Sequence, residues 1–252
     1  MTSRSTKALA LFSTFLLTAC FGSGKKQLEV LTYACQPQPQ QNLIVFLQGL
    51  GGTLRCPINV HRCFKMEGFV DAVQSRNLPY DMLAPNAHLG YYQERSLVER
   101  LRTDVIQPAK ACGYDKVWIV GVSMGGLGAL LYLKEHPEDI AGVVVLGPYL
   151  GDNEILDEIA AAGGVQHWKP GVYDPNEQWQ RMLWDWLKRY PNLDPDSTPI
   201  IMGMAADDLY YKGHKLLAAA LPPDRVIETG GKHRFKTFKG LWDKVLEREF
   251  IK

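Results

Sequence analysis

Two uninterrupted apolar runs, Leu43-Ile44-Val45-Phe46-Leu47 and Val117-Trp118-Ile119-Val120, constrain this chain more than any other feature. Neither alternates apolar with polar residues, so each reads as a strand covered on both faces. Further strand-like segments, Tyr80–Ala84, Ala141–Leu146, Pro199–Met204 and Arg225–Glu228, are separated by helical patterns. The helical stretches are Phe69–Arg76, Val98–Cys112, Gly125–His136, Tyr211–Ala220 and Phe235–Arg248, with Gly113 and Pro137 as stops. Strands alternating with helices predict an α/β fold, a mostly parallel central sheet with helices on both faces. Leu28–Ala34, before the Gln/Pro run, reads as an edge strand. Residues 151–198 break the rhythm, are too long for a connection, and carry Trp168, Trp179, Trp184 and Trp186. That segment is an insertion with its own packing.

Composition agrees with one globular domain. A hydrophobic fraction of 46% and a formal charge of +1, from 28 Lys+Arg against 27 Asp+Glu, exclude a disordered chain and a basic nucleic-acid-coating protein. No nucleic-acid partner is expected.

Gly121-Val122-Ser123-Met124-Gly125 falls between an apolar strand and a helix, which forces Ser123 into a sharp strand-to-helix turn. Flanking glycines permit the close backbone approach of such a turn, and the helix start aims its free N–H groups at the same spot. With this motif the chain from residue 42 to residue 252 resembles the α/β-hydrolases. The resemblance implies an oxyanion loop after an early strand, an acid after a late strand and a histidine after the last strand. Gln48-Gly49-Leu50-Gly51-Gly52 fits the loop, with the backbone N–H groups of Leu50 and Met124 as donors, although the family often has His where Gln48 stands. Asp208 fits the acid; Asp207 lies one residue early, and on extended backbone only one of the two can face the histidine. The other is expected to cap the following helix. His233 fits the base, and no histidine follows it.

The implied activity is a serine hydrolase that cleaves small-molecule acyl esters or thioesters through an acyl-enzyme, with Ser123, His233 and Asp208 as the triad. The same residues would serve an amidase, a peptidase or an acyltransferase, and a surface-tethered binding protein with an idle triad is the reading from another class. No cofactor is implied. In the family the insertion at 151–198 corresponds to a small helical cap, so Trp179, Leu183, Trp186 and Leu187, at helical spacing, are either core or substrate wall. The other histidines carry no partner pattern and read as surface or packing residues.

The N-terminus stands apart from this domain. Arg4 and Lys7 precede the apolar stretch Ala8–Thr18, which is too short to span a bilayer and fits the core of a signal peptide. Leu17-Thr18-Ala19-Cys20 resembles the lipobox of bacterial lipoproteins. That resemblance implies removal of residues 1–19, acylation of Cys20 and a membrane partner at the cell envelope, with the outer membrane favoured because Phe21 rather than Asp follows. Residues 20–41 then read as a tether, around Gly22–Lys26, with the possible edge strand. Export permits disulfides, and Cys35, Cys56, Cys63 and Cys112 allow three pairings. Cys56 and Cys63 could close a small loop or, with His61, offer an incomplete zinc-ligand set; no metal is expected.

Overall fold

The computed structural model describes residues 23–33, 40–52, 56–190, 196–248 and 251. The predicted signal peptide, Cys20 and Cys35 lie outside the described residues. A seven-stranded sheet forms the centre: β1 (Val30–Tyr33), β2 (Asn42–Leu47), β3 (Tyr80–Pro85), β4 (Lys116–Val122), β5 (Gly142–Leu146), β6 (Ile200–Ala205) and β7 (Val226–Thr229). Its order is β1-β3-β2-β4-β5-β6-β7. Only β1 is antiparallel, lying against β3 at the sheet edge, and every other pairing is parallel. The α/β architecture expected from the apolar runs is the one observed. Leu43 through Leu47, Val143 through Leu146 and Ile200 through Ala205 are buried at every position, as two-sided coverage requires.

Ten α-helices among the described residues complete the fold: α1 (Cys63–Met66), α2 (Phe69–Ser75), α3 (Leu89–Gln93), α4 (Leu97–Leu101), α5 (Gln107–Ala111), α6 (Met124–Glu135), α7 (Asn153–Ala161), α8 (Trp179–Arg189), α9 (Tyr211–Ala218) and α10 (Phe235–Glu247). The single helix expected at 98–112 is α4 and α5 joined by a π-helical stretch, Arg102–Ile106. At this stretch the Asp104 carboxylate accepts the Leu28 N–H at 3.0 Å. Side chains of alternate strand residues feed two cores, one on each face of the sheet. On one face Phe46 stacks on Phe64 with ring centres 4.8 Å apart and meets the edges of Phe69 and Trp242. Trp242 in α10 also donates to the Phe69 carbonyl at 3.1 Å, which ties the last helix to α2. In the insertion, Leu183, Trp184 and Leu187 are core, whereas Trp179 and Trp186 are half-buried.

Cys56 and Cys63 form a disulfide with their α-carbons 5.7 Å apart, which takes both sulfurs out of the three-residue zinc set. Cys112 is an exposed free thiol.

Because Phe46 is the centre of the aromatic cluster, Phe46→Ala is expected to cost about 3–5 kcal/mol, through lost transfer energy and the cavity left behind. Denaturant unfolding of the purified variant measures this; a loss under about 1 kcal/mol would mean that the cluster closes around the gap.

Candidate active site

β4 and α6 meet at Ser123, whose backbone is strained at φ 55° and ψ −117°. The turn is held by backbone bonds from two sides. Ser123 N–H donates to the Leu146 carbonyl at 3.0 Å, and Tyr149 N–H donates to the Ser123 carbonyl at 3.0 Å. Close packing does the rest: a β-carbon added at Gly125 would lie 2.0 Å from the Leu47 carbonyl oxygen, and one at Gly121 would lie 2.1 Å from that of Gly125. Only hydrogen fits at either place. From α3 the Tyr92 hydroxyl donates to the Met124 carbonyl at 3.0 Å and braces the first turn of α6.

Three side chains from three strand ends converge here. His233 Nε2 lies 2.8 Å from Ser123 Oγ, and His233 Nδ1 lies 2.7 Å from Asp208 Oδ2. Asp208 follows β6, with its carboxylate fully buried, and its other oxygen accepts the Tyr210 N–H at 2.9 Å. Burial alone would raise the Asp208 pKa, but the bonds from His233 and Tyr210 and the nearby imidazoles outweigh it, and the net shift is downward. The carboxylate is therefore ionised at neutral pH. Since a carboxylate only accepts, Nδ1 carries the proton of a neutral His233 and Nε2 offers its lone pair to the serine hydroxyl. Tyr210 and Phe238 flank the ring edge-on, with centroids 4.9 and 4.8 Å away.

Asp207 is exposed and faces elsewhere. Its Oδ2 accepts the Gly231 N–H at 3.2 Å, so it pins the loop before His233. The expected helix cap is absent, since the residue preceding α9 is Tyr210. The loop after β2 crosses over Ser123: an added β-carbon at Gly49 would lie 3.1 Å from Ser123 Cβ. Leu50, one residue on, is 43% exposed. Met124 N–H belongs to the first turn of α6, where helical N–H groups have no acceptor within the helix. Gln48, where the family often has His, is buried, and its Nε2 donates to Asn86 at 3.4 Å.

Three neighbours, Tyr210, Tyr149 and Asp152, carry no motif. Tyr210 packs on Tyr149 with centroids 5.2 Å apart, and Tyr149 on Trp179 at 6.0 Å, so a half-buried aromatic row leads from His233 to α8. Asp152 ties this row together, accepting from the Tyr149 hydroxyl at 2.5 Å and from Gln180 Nε2 at 2.8 Å. The one available signal was position, since Tyr149 follows the end of a central strand, where ligands gather in open α/β sheets.

Comparison with known proteins agrees with this fold. Residues 42–185 match the family model of the alpha/beta hydrolase fold. The chain belongs to the α/β-hydrolase family. Solved α/β structures similar to it include Est1E from Butyrivibrio proteoclasticus, with 15% identity, a TM-score of 0.54, and 88% of this chain and 94% of that one covered. S-formylglutathione hydrolase (FrmB) from Staphylococcus aureus follows, with 11% identity, a TM-score of 0.53, and 90% and 98% covered. Abhydrolase domain-containing protein lid-1 of Caenorhabditis elegans is 29% identical over 132 residues, 49% of this chain and 34% of that one. The chain thus spans about a third of the length of that curated relative.

Two histidines outside this site, His61 and His214, are fully buried. The His214 Nε2–H donates to the Pro148 carbonyl at 3.0 Å; neither ring nitrogen of His61 has a partner among the described residues. Burial pushes both pKa values below 6.5; Asp208 partly offsets the shift at His214, as Glu29 does at His61. Between the ordinary value and the lower folded value, the unfolded chain binds protons that the native state refuses. Stability is therefore expected to fall as pH drops below 6.5, by at most about 1.4 kcal/mol per pH unit for each ring. His61→Phe and His214→Phe should each flatten this slope in thermal melts between neutral and mildly acid pH. Unchanged slopes would show that both rings take up protons in the native state.

Proposed function

We propose that this protein is a serine hydrolase that cleaves carboxylic or thio esters at Ser123 and is tethered to the bacterial cell envelope through Cys20. The reading is carried by the unbroken chain of hydrogen bonds from Asp208 through His233 to a serine on a strained turn. His233 Nε2 takes the Ser123 proton as Oγ attacks the acyl carbonyl, and Asp208 stabilises the imidazolium that forms. The backbone N–H groups of Leu50 and Met124 are assigned to the oxyanion, where each such donor contributes about 3–4 kcal/mol. The imidazolium returns the proton to the leaving alcohol or thiol. Water, deprotonated by the same ring, then releases the acid and restores Ser123. Support for the ester class comes from the fold relatives: S-formylglutathione hydrolase is one, and Est1E has been seen with ferulic acid bound.

Ser123→Ala and His233→Ala are each expected to lower ester turnover by roughly 10³–10⁶ while leaving the melting temperature near that of the parent. Asp208→Asn should cost about 10⁴, because the amide no longer fixes the imidazole tautomer, and Asp207→Asn far less. A fluorophosphonate probe should label the parent at Ser123 and not the alanine variant. Full activity in a folded Ser123→Ala protein would end the mechanism.

The anchor rests on the basic start, the apolar core and Leu17-Thr18-Ala19-Cys20. Labelled fatty acid should enter the mature protein, which partitions with membranes, and Cys20→Ser should abolish both label and processing. Normal cleavage and soluble secretion of Cys20→Ser would make residues 17–20 an ordinary signal-peptidase site.

A further inference from the structure

The segment expected to be a loose tether is strapped down from Ser23 onward. Gly24 N–H and the Ser23 hydroxyl donate to Glu94 Oε1 at 3.1 and 3.3 Å, and the Ser96 hydroxyl donates to the Gly24 carbonyl at 2.7 Å. Gly24 is buried so tightly on α3 that an added β-carbon would lie 2.7 Å from both the Gly90 carbonyl oxygen and the Tyr91 α-carbon. Four residues on, Leu28 is buried and its N–H bonds Asp104 at 3.0 Å. Only Phe21 and Gly22 therefore separate Cys20 from a residue bonded to the domain. Three α-carbon steps reach at most about 11 Å. With Cys20 acylated, the corner between α3 and α4 is kept within about that distance of the lipid headgroups.

That corner has the chemistry of a headgroup contact. Lys25, Lys26 and Arg95 are exposed on it. The nearby Glu94 carboxylate accepts from the strap, and Asp174 accepts the Asn176 N–H at 2.8 Å. Arg95 also donates to the Asn176 side chain at 3.4 Å, joining the corner to the cap loop between α7 and α8. On that loop Val172 is fully exposed, an apolar side chain with no cover, next to Gly171 and close to Lys169. Exposed cations, and a bare apolar side chain on a loop bonded to the same corner, are the two elements by which a surface lies on an anionic bilayer.

We propose that the strap, the turn between α3 and α4 and the cap loop carrying Val172 form a membrane-docking face. Lys25, Lys26 and Arg95 meet anionic phosphates there, and Val172 enters the boundary between headgroups and acyl chains. The proposal rests on the acylation of Cys20. Its consequence is an orientation: α3, which braces the elbow through Tyr92, lies between the bilayer and Ser123.

The test is photo-crosslinking of the acylated protein in vesicles of phosphatidylethanolamine with a minor share of phosphatidylglycerol. A photoreactive amino acid replaces Val172, Lys25 or, as control, the exposed Glu138 on the turn before β5. Lipid adducts at 172 and 25 are expected at least about fivefold above those at 138, while hydrolysis of a water-soluble ester stays at the parent level in all three. Val172→Asp in the protein crosslinked from position 25 should lower the adduct yield severalfold. Equal adducts at the three positions, or none at 172 and 25, would overturn the docking face even with Cys20 acylated. Fatty-acid labelling, measured on the same samples, reports separately on the anchor, and fluorophosphonate labelling on the hydrolase.

Discussion

The contact between Gly125 and the Leu47 carbonyl is the constraint around which the rest of the site is arranged. It exists because β2 and β4 are parallel neighbours in register, with Leu47 opposite Gly121. That pairing brings the end of β2 under the first turn of α6, at a separation only glycine allows. The strain at Ser123, of order 1–3 kcal/mol for a non-glycine residue at positive φ, is sustained by the strands on either side. The same contact forces the chain leaving β2 to pass over the serine, so the elbow and the loop assigned to the oxyanion are two results of one packing fact.

Sheet order explains where the other partners come from. Moving outward from β4, the neighbours β5, β6 and β7 are all parallel, so their carboxyl ends lie on one edge. Asp208 and His233 follow β6 and β7 on that edge, and Tyr149 follows β5. The chain reverses its direction of growth at β2, which has β3 on one side and β4 on the other. A crevice at such a switch point is where open α/β sheets place their ligands.

Much of this architecture was legible in the sequence, because strands buried on both faces must be continuously apolar and Leu43–Leu47 and Val117–Val120 show it without ambiguity. The turn at Ser123 was legible for a related reason: glycines on both sides of a serine at a strand-to-helix junction leave few alternatives. What stayed hidden depended on partners distant in the chain. Ser23 and Gly24 look like linker because their composition says nothing of Glu94 and Ser96, some seventy residues on. Asp207 reads from its sequence position as a helix cap, yet its carboxylate accepts the Gly231 N–H, across the gap between two strand ends. The Cys56–Cys63 pairing was one of several, and only the 5.7 Å approach of the α-carbons selects it. Trp184 missed the apolar stripe drawn through Trp179 and Trp186, but its indole N–H finds the Leu150 carbonyl at 2.9 Å and makes full burial possible.

The surroundings of His233 show how packing and charge act together. A ring edge-on to two aromatic side chains has little freedom to rotate, so the bonds to Asp208 and Ser123 need not fix its orientation unaided. The same rings exclude water from one side of the Asp208–His233 pair, which strengthens that bond relative to a solvated one. Burial on its own would push Asp208 toward its neutral form and remove the acceptor. The bond from His233 and the Tyr210 N–H on the second oxygen together prevent this, and Tyr210 is also one of the flanking rings. A single residue thus supplies both part of the shielding around the pair and one of the donors that keep it ionised. Removing the tyrosine ring would test only the first of these, because the second belongs to the backbone.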